Sequence, residues 1–225
     1  MKLDKIYIIH YDKLVERKQY LEPQLQKLGV DFEFRSLYNR EAPELESKEL
    51  FDPSEQNKQK RKKELDRTGL SIYAPCLQQH KGYKAVTLEH FFTYKEILKQ
   101  NIETALVLED DVCFKDGFFD HIHEYINKIP HDFDIAYLGH GCSLDLPYQT
   151  DDLFGLHPRK QSRCSDSYIF NRKTLEIVID SFLPFFGAID WELNYIQALH
   201  NLKVYWCTKP LIVQGSQHGK YKSSF

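Results

Sequence analysis

The feature that most constrains this chain is a short apolar run that stops at three acids. Thr104 to Leu108 is too short for a helix, reads as a compact buried strand, and passes straight into Glu109-Asp110-Asp111. Like charges at close range repel, so three consecutive carboxylates call for something positive among them. In open α/β sheets ligands bind at the carboxyl ends of the strands, which is where this cluster falls. A divalent cation on hard carboxylate oxygens, itself gripping a diphosphate, meets both conditions. An acidic turn that caps a following helix without metal accounts for the same residues. Strands ending in acids also serve phosphohydrolases and phosphotransferases.

The rest of the chain alternates in a way that suits such a strand. Lys5 to Ile9 is a second apolar run, followed by Leu14, Leu21, Leu25 and Leu28 at helical spacing and Gly29 at the C-cap position. Val30 to Leu37 then alternates as a strand. Helices are expected over Ala85–Leu98, Phe118–Ile129, Lys173–Phe182 and Asp190–His200, and strands over Phe133–Leu138, Arg163–Phe170 and Val204–Trp206. This order predicts an α/β fold: a Rossmann-like mixed, mainly parallel sheet with helices on both faces, in one domain over residues 1–225. From about 40 to 70 about half the residues are charged, with a basic knot at Lys60-Arg61-Lys62-Lys63, so a solvated helix or flexible insertion is expected there.

Composition narrows the function. A hydrophobic share of 42% rules out wholesale disorder, and the net charge of −3 with a pI near 6.4 gives no sign of a nucleic-acid partner. No apolar run is long enough to span a membrane, and Met1 to Ile6 lacks the apolar core of a secretory signal. The cysteines at 76, 113, 142, 164 and 207 form no C-x-x-C pair, and their odd count argues against a complete disulfide framework. Reduced thiols and a cytoplasmic location, in a host cell if the chain is viral, are the expectation.

Several stretches in order resemble glycosyltransferase family 25, the group of lipooligosaccharide and procollagen galactosyltransferases. Ile6-Tyr7-Ile8-Ile9-His10-Tyr11 with Arg17 looks like the family's opening strand, turn and following basic residue. Gly82, Leu88-Glu89-His90 and Tyr94 are similar to its Gly-x5-Leu-Ser-His-x3-Trp stretch, and Leu108 to Val112 matches its Glu-Asp-Asp-Val segment. Ser167-Tyr168-Ile169-Phe170 with Leu175, then Asp190, then Pro210 with Gln214, continue the series. His10-Tyr11 stands where the family has Asn-Leu, Glu89 where it has Ser, and Tyr94 where it has Trp.

The resemblance implies a GT-A fold, a nucleotide-sugar donor such as UDP-galactose, and inversion at the anomeric carbon. It makes Asp111 the direct metal ligand, with Asp110 and Glu109 on ribose hydroxyls and metal-bound water. It places Ile9, His10, Tyr11 and Arg17 along the donor, where Tyr11 or Tyr38 offers a stacking face for uracil, although either tyrosine fits equally well as packing. Such enzymes also take a contact from near the C-terminus. In Gln214-Gly215-Ser216-Gln217-His218-Gly219-Lys220, His218 is the candidate second metal ligand and Lys220 the candidate diphosphate contact, against the simpler reading of a frayed tail. Oxygen ligands with one imidazole suit Mn²⁺, with Mg²⁺ as the other candidate.

Inversion needs a base to take the acceptor hydroxyl's proton. Asp190 is the candidate and Glu192 the reserve, with Trp191 as a flat apolar platform for sugar. Asp is also a favoured N-cap, which accounts for Asp190 without chemistry. The acceptor, whether glycan, lipid-linked saccharide or protein, leaves no signature, and neither does the choice between galactose and glucose. Two other functions fit the residues: a Mg²⁺-dependent phosphoryl-transfer enzyme, which lacks a Gly-rich phosphate loop here, and a glycan- or donor-binding module without turnover.

Overall fold

The computed structural model describes residues 1–69 and 80–222. Cys76 lies outside the described residues. The N-terminal unit is β1 (Lys5–Ile9), α1 (Val15–Gln26) and β2 (Asp31–Arg35). All of β1 is buried, as a strand packed on both faces must be, so its residues form a continuous apolar run rather than an alternation. Gly29, at φ 63°, closes the helix in a conformation that glycine adopts without a Cβ clash.

The sequence then forms α2 (Glu55–Asp66), α3 (Lys81–Lys99), β3 (Ala105–Glu109), β4 (Val112–Phe114), α4 (Phe118–Lys128) and β5 (Ile135–Tyr137). After these come β6 (Phe154–Leu156), β7 (Ser167–Phe170), α5 (Arg172–Phe182), α6 (Ile189–Leu199), β8 (Val204–Cys207) and β9 (Ile212–Gln214). Seven strands form one sheet in the order β2-β1-β3-β7-β5-β8-β6. β1 pairs in parallel with β2 and β3, and β5 with β8, whereas β7 and β6 run against their neighbours. Five of the seven strands therefore share one direction, giving the mixed, mainly parallel sheet expected.

Successive side chains of a strand point to opposite faces, and the two cores follow that rule. Tyr7, Ile9, Val107 and Tyr168 pack with α3, α5 and α6 on one face; Ile6, Ile8, Leu106 and Ile169 pack with α1 and α4 on the other. The register sets Ile9 beside Glu109, so the residues that follow each strand, His10 and Asp110, emerge side by side. A small second sheet pairs β4 with β9, Val112 opposite Gln214, and so fastens the C-terminal segment next to the acidic cluster.

The charged stretch differs from a solvated excursion. Leu45 and Phe51 are buried in the α3-side core, and so is Leu65 from α2. Arg61, the second residue of the basic knot, is also buried: it donates to Glu192 at 2.7 Å and to the carbonyl of Pro184 at 2.8 Å, and lies 4.4 Å from the Tyr195 ring centre. Only the outer face of α2 is wet. The expected strand over Arg163–Phe170 is paired only from Ser167 onward, because Cys164 takes φ 62° and breaks the extended run. Among the described residues no helix is long and apolar enough to cross a membrane.

Candidate active site

The carboxyl ends of β1 and β3, the start of α6 and the segment after β9 enclose a cleft of about 360 Å³. Of the residues predicted from sequence, Ile9, His10, Tyr11, Arg17 and Tyr38 line it, together with Glu109, Asp110, Asp111 and Asp190.

The three acids have different surroundings. Asp110 is buried and fully engaged: Arg17 Nη1 donates to Oδ1 at 2.6 Å, the Tyr11 amide donates to Oδ2 at 3.1 Å, and His10 Nδ1 lies 2.8 Å from Oδ2. Arg17 also donates to the Lys222 carbonyl at 2.9 Å, which ties α1 to the C-terminal segment. Asp110 thus organises the β1 turn, with Oδ1 accepting from Arg17 and Oδ2 meeting the Tyr11 amide and His10.

Asp111 Oδ2 accepts from Ser216 Oγ at 2.5 Å, while the buried Oδ1 has no hydrogen-bond partner. Burial, then the charge of Glu109, pushes its pKa up to about 6. An anionic oxygen left unpartnered in a site this dry is a position for a cation. Glu109 accepts from Ser165 Oγ at 2.5 Å, and the fully buried His90 holds Nε2 3.6 Å from its Oε1. Asp166 lies fully buried, its Oδ1 without a partner. Its proton is retained well above the ordinary carboxyl range, chiefly by burial and then by Glu109 and Asp111.

Asp190 sits in the first turn of α6, where the helix dipole favours a carboxylate. The N-cap is Ala188, so capping does not explain this Asp. Burial first, then Glu109, pushes its pKa up to about 6. The half-buried Tyr38 stacks on Phe92 with centroids 5.0 Å apart and its amide donates to the buried Glu89. Arg40, which also lines the cleft, stands 5.6 Å from the Tyr11 ring centre.

Four residues given a role from sequence lie elsewhere. Glu192, two positions from Asp190, points to another side of the helix; it is buried, paired with Arg61, and accepts from the amides of Phe186 and Gly187 at 2.8 and 2.6 Å. These contacts make it a structural anchor. His218 is exposed and does not line the cleft, where Ser216 and Gln217 of the same turn do. Lys220 lies 2.9 Å from the Tyr20 ring centre, also off the cleft. Trp191 is not part of the lining either. Among the described residues no group of three or more His, Cys, Asp or Glu is gathered as a metal cage. The site also contains residues the sequence did not single out, namely Cys142, Cys164, Ser165, Ser216 and Gln217. No motif spacing links them, since they arrive from separate turns.

The sequence profile of glycosyltransferase family 25, described as an LPS biosynthesis protein, matches residues 3–196. No curated protein matches the chain. Among solved structures, a glycosyltransferase involved in the glycosylation of the major capsid of PBCV-1 is similar, with 10% identity, 95% of this chain and 92% of that one covered, and a TM-score of 0.47. Mouse xyloside xylosyltransferase 1 in its apo form is similar at 11% identity, over 95% of this chain and 84% of that one, with a TM-score of 0.40.

Proposed function

The chain belongs to glycosyltransferase family 25, and from that premise we propose that it moves a hexose, galactose or glucose, from a UDP-sugar to an acceptor hydroxyl with inversion and with a divalent metal. Family membership sets the phosphoryl-transfer reading aside. The observation that carries the proposal is that Asp111, with its buried unpartnered Oδ1, and Asp190, a carboxyl with its pKa near 6, line one cleft.

The donor set suits Mn²⁺ or Mg²⁺ shared with a diphosphate. Hard cations of this kind are held by one or two carboxylates, water and substrate phosphates rather than by a protein cage. Asp111 would hold the ion through Oδ1, and Ser216 fixes the carboxylate's orientation through Oδ2. Such an ion, when bound, stabilises the charge that builds on the diphosphate as the glycosidic bond breaks.

The protein's own groups do the rest. Asp190 takes the acceptor hydroxyl's proton as the new bond forms. Tyr11 and Tyr38 supply flat faces for the base. Arg17 is committed to Asp110, so among the described residues Arg40 is the cleft cation left to meet the diphosphate, in the role assigned from sequence to Lys220. Asp110 acts by holding Arg17 and His10 in place. The acceptor is a glycan, lipid-linked saccharide or protein hydroxyl.

The test is the melting temperature with UDP, with and without Mn²⁺, for the native chain and Asp111→Asn, followed by UDP release from UDP-galactose and UDP-glucose. A shift that needs both ligands and disappears in the variant supports the donor site. No shift with any nucleotide overturns it. Binding without release or transfer replaces the enzyme with a binding module.

A further inference from the structure

Outside the acidic cluster the cleft carries a second chemical group. Cys142 follows β5 through the turn Gly139-His140-Gly141, and Cys164 lies in the segment that leads into β7. Their sulfurs are 3.2 Å apart, about 1.2 Å beyond a disulfide bond length. Both are free thiols; Cys142 is exposed and Cys164 half-buried, and both line the cleft.

The backbone is shaped for this contact. Cys142, Ser143 and Cys164 adopt φ of 51°, 51° and 62°, a left-handed region that residues other than glycine seldom occupy. Gly141 permits the approach: a Cβ there would lie 2.5 Å from Cys164 Cβ and 2.6 Å from the Arg163 carbonyl. The surrounding groups favour a nucleophile at Cys142. Cys164 donates its S–H to Cys142 Sγ, and Gln217 Nε2 donates to the same sulfur at 3.2 Å. These hydrogen bonds, chiefly the one from Cys164, bring the Cys142 thiol down to about 6, whereas Cys164 is raised.

We propose that Cys142 and Cys164 are a redox-active dithiol on the cleft rim that exchanges with small-molecule disulfides and closes to an intramolecular disulfide. This site goes beyond glycosyl transfer and does not depend on it. The Cys142 thiolate attacks one sulfur of the disulfide R–S–S–R, forming Cys142–S–S–R and expelling RS⁻. Cys164, losing its proton to the leaving thiolate, then displaces the second RS⁻ and forms the Cys142–Cys164 bond. The protein loses two electrons and two hydrogens, and the co-reactant is reduced to two RSH. In the closed form Cys142 Sγ no longer accepts as a thiolate from Gln217, so oxidation is felt by the same C-terminal segment that carries Ser216.

The test uses the full chain, first reduced with a phosphine and then treated with oxidised glutathione at pH 7. Intact mass should fall by two hydrogens, peptide mapping should place the bond between 142 and 164, and dithiothreitol should reverse it. In Cys164→Ser a glutathione adduct should persist on Cys142. In the untreated native chain Cys142 should alkylate at least tenfold faster than Cys113 or Cys207. A lasting adduct on the native chain, a bond mapped to another pair, or no reaction within hours overturns the proposal. These readouts are independent of whether any sugar is transferred.

Discussion

Arg61 and Glu192 are 131 positions apart in sequence and form a 2.7 Å ion pair that joins α2 to α6. The Glu192 side chain is 1% exposed and that of Arg61 11%, so neither charge has water to fall back on. Removing one partner strands the other. Arg61→Met is expected to destabilise the fold by about 3–5 kcal/mol, measured by urea unfolding. Pairing it with Glu192→Gln should recover part of that loss, because the surviving buried charge is removed as well. A loss in the double variant equal to the sum of the losses in Arg61→Met and Glu192→Gln alone would mean that the pair is not coupled.

Adjacent acids should respond in opposite directions. Asp110→Asn weakens the acceptor for Arg17, itself buried, and should cost on the order of 2–4 kcal/mol. Asp111 has its carboxyl held at about 6 against an ordinary value near 3.8, so its ionised form is disfavoured by the fold. That cost is absent below about pH 4, grows as pH rises to 6, and is fully present above it. In chelator at pH 7.5, Asp111→Asn should therefore gain about 1–3 kcal/mol while losing any metal-linked shift. Melting curves at pH 4 and 7.5 separate the two substitutions.

Asp190 predicts a pH profile. With its carboxyl near 6, the basic form accumulates as pH rises through that value. The transfer rate at saturating substrate should climb about tenfold per unit below pH 6 and level off near 7. Asp190→Asn should cost roughly 10²–10⁴ in rate and leave UDP binding unchanged. A rate with no acidic limb would remove Asp190 from the base role.

Arg40 offers a test that separates charge from stacking. Arg40→Met should weaken UDP binding about tenfold or more and leave uridine binding nearly unchanged, since a charge-assisted hydrogen bond is lost only for the phosphates. Isothermal titration with both ligands provides the comparison. Equal losses for the two would assign Arg40 to packing on Tyr11.

The elements that announced themselves in sequence were those whose burial leaves a periodic trace. β1 and β3 are apolar over nearly their full length, and α4 and α5 carry one apolar face. β4, β6 and β9 have three residues each and, unlike the equally short β5 within Phe133–Leu138, no longer apolar stretch around them, so they were not legible. α2 buries Asn57, Arg61 and Leu65, and a stripe with one apolar member looks like solvated surface. In the site, Glu109, Asp110, Asp111 and Asp190 were readable because strand ends and helix starts are natural ligand positions. The direction of a side chain was not. On one helix turn Asp190 faces the cleft and Glu192 a buried arginine; on one C-terminal turn Ser216 meets Asp111 while His218 faces water. The thiol pair spans 22 positions and depends on three left-handed residues that no spacing rule reports.

The contact between Arg17 and the Lys222 carbonyl reaches across 205 positions, and the one between Ser216 and Asp111 across 105. Neither contact can form until the segment after β9 has been made. During synthesis, the acidic turn leaves the ribosome long before the hydroxyl that orients it. A nascent chain can thus pair β1, β2 and β3 while the segment that closes over the acidic turn is still to be made.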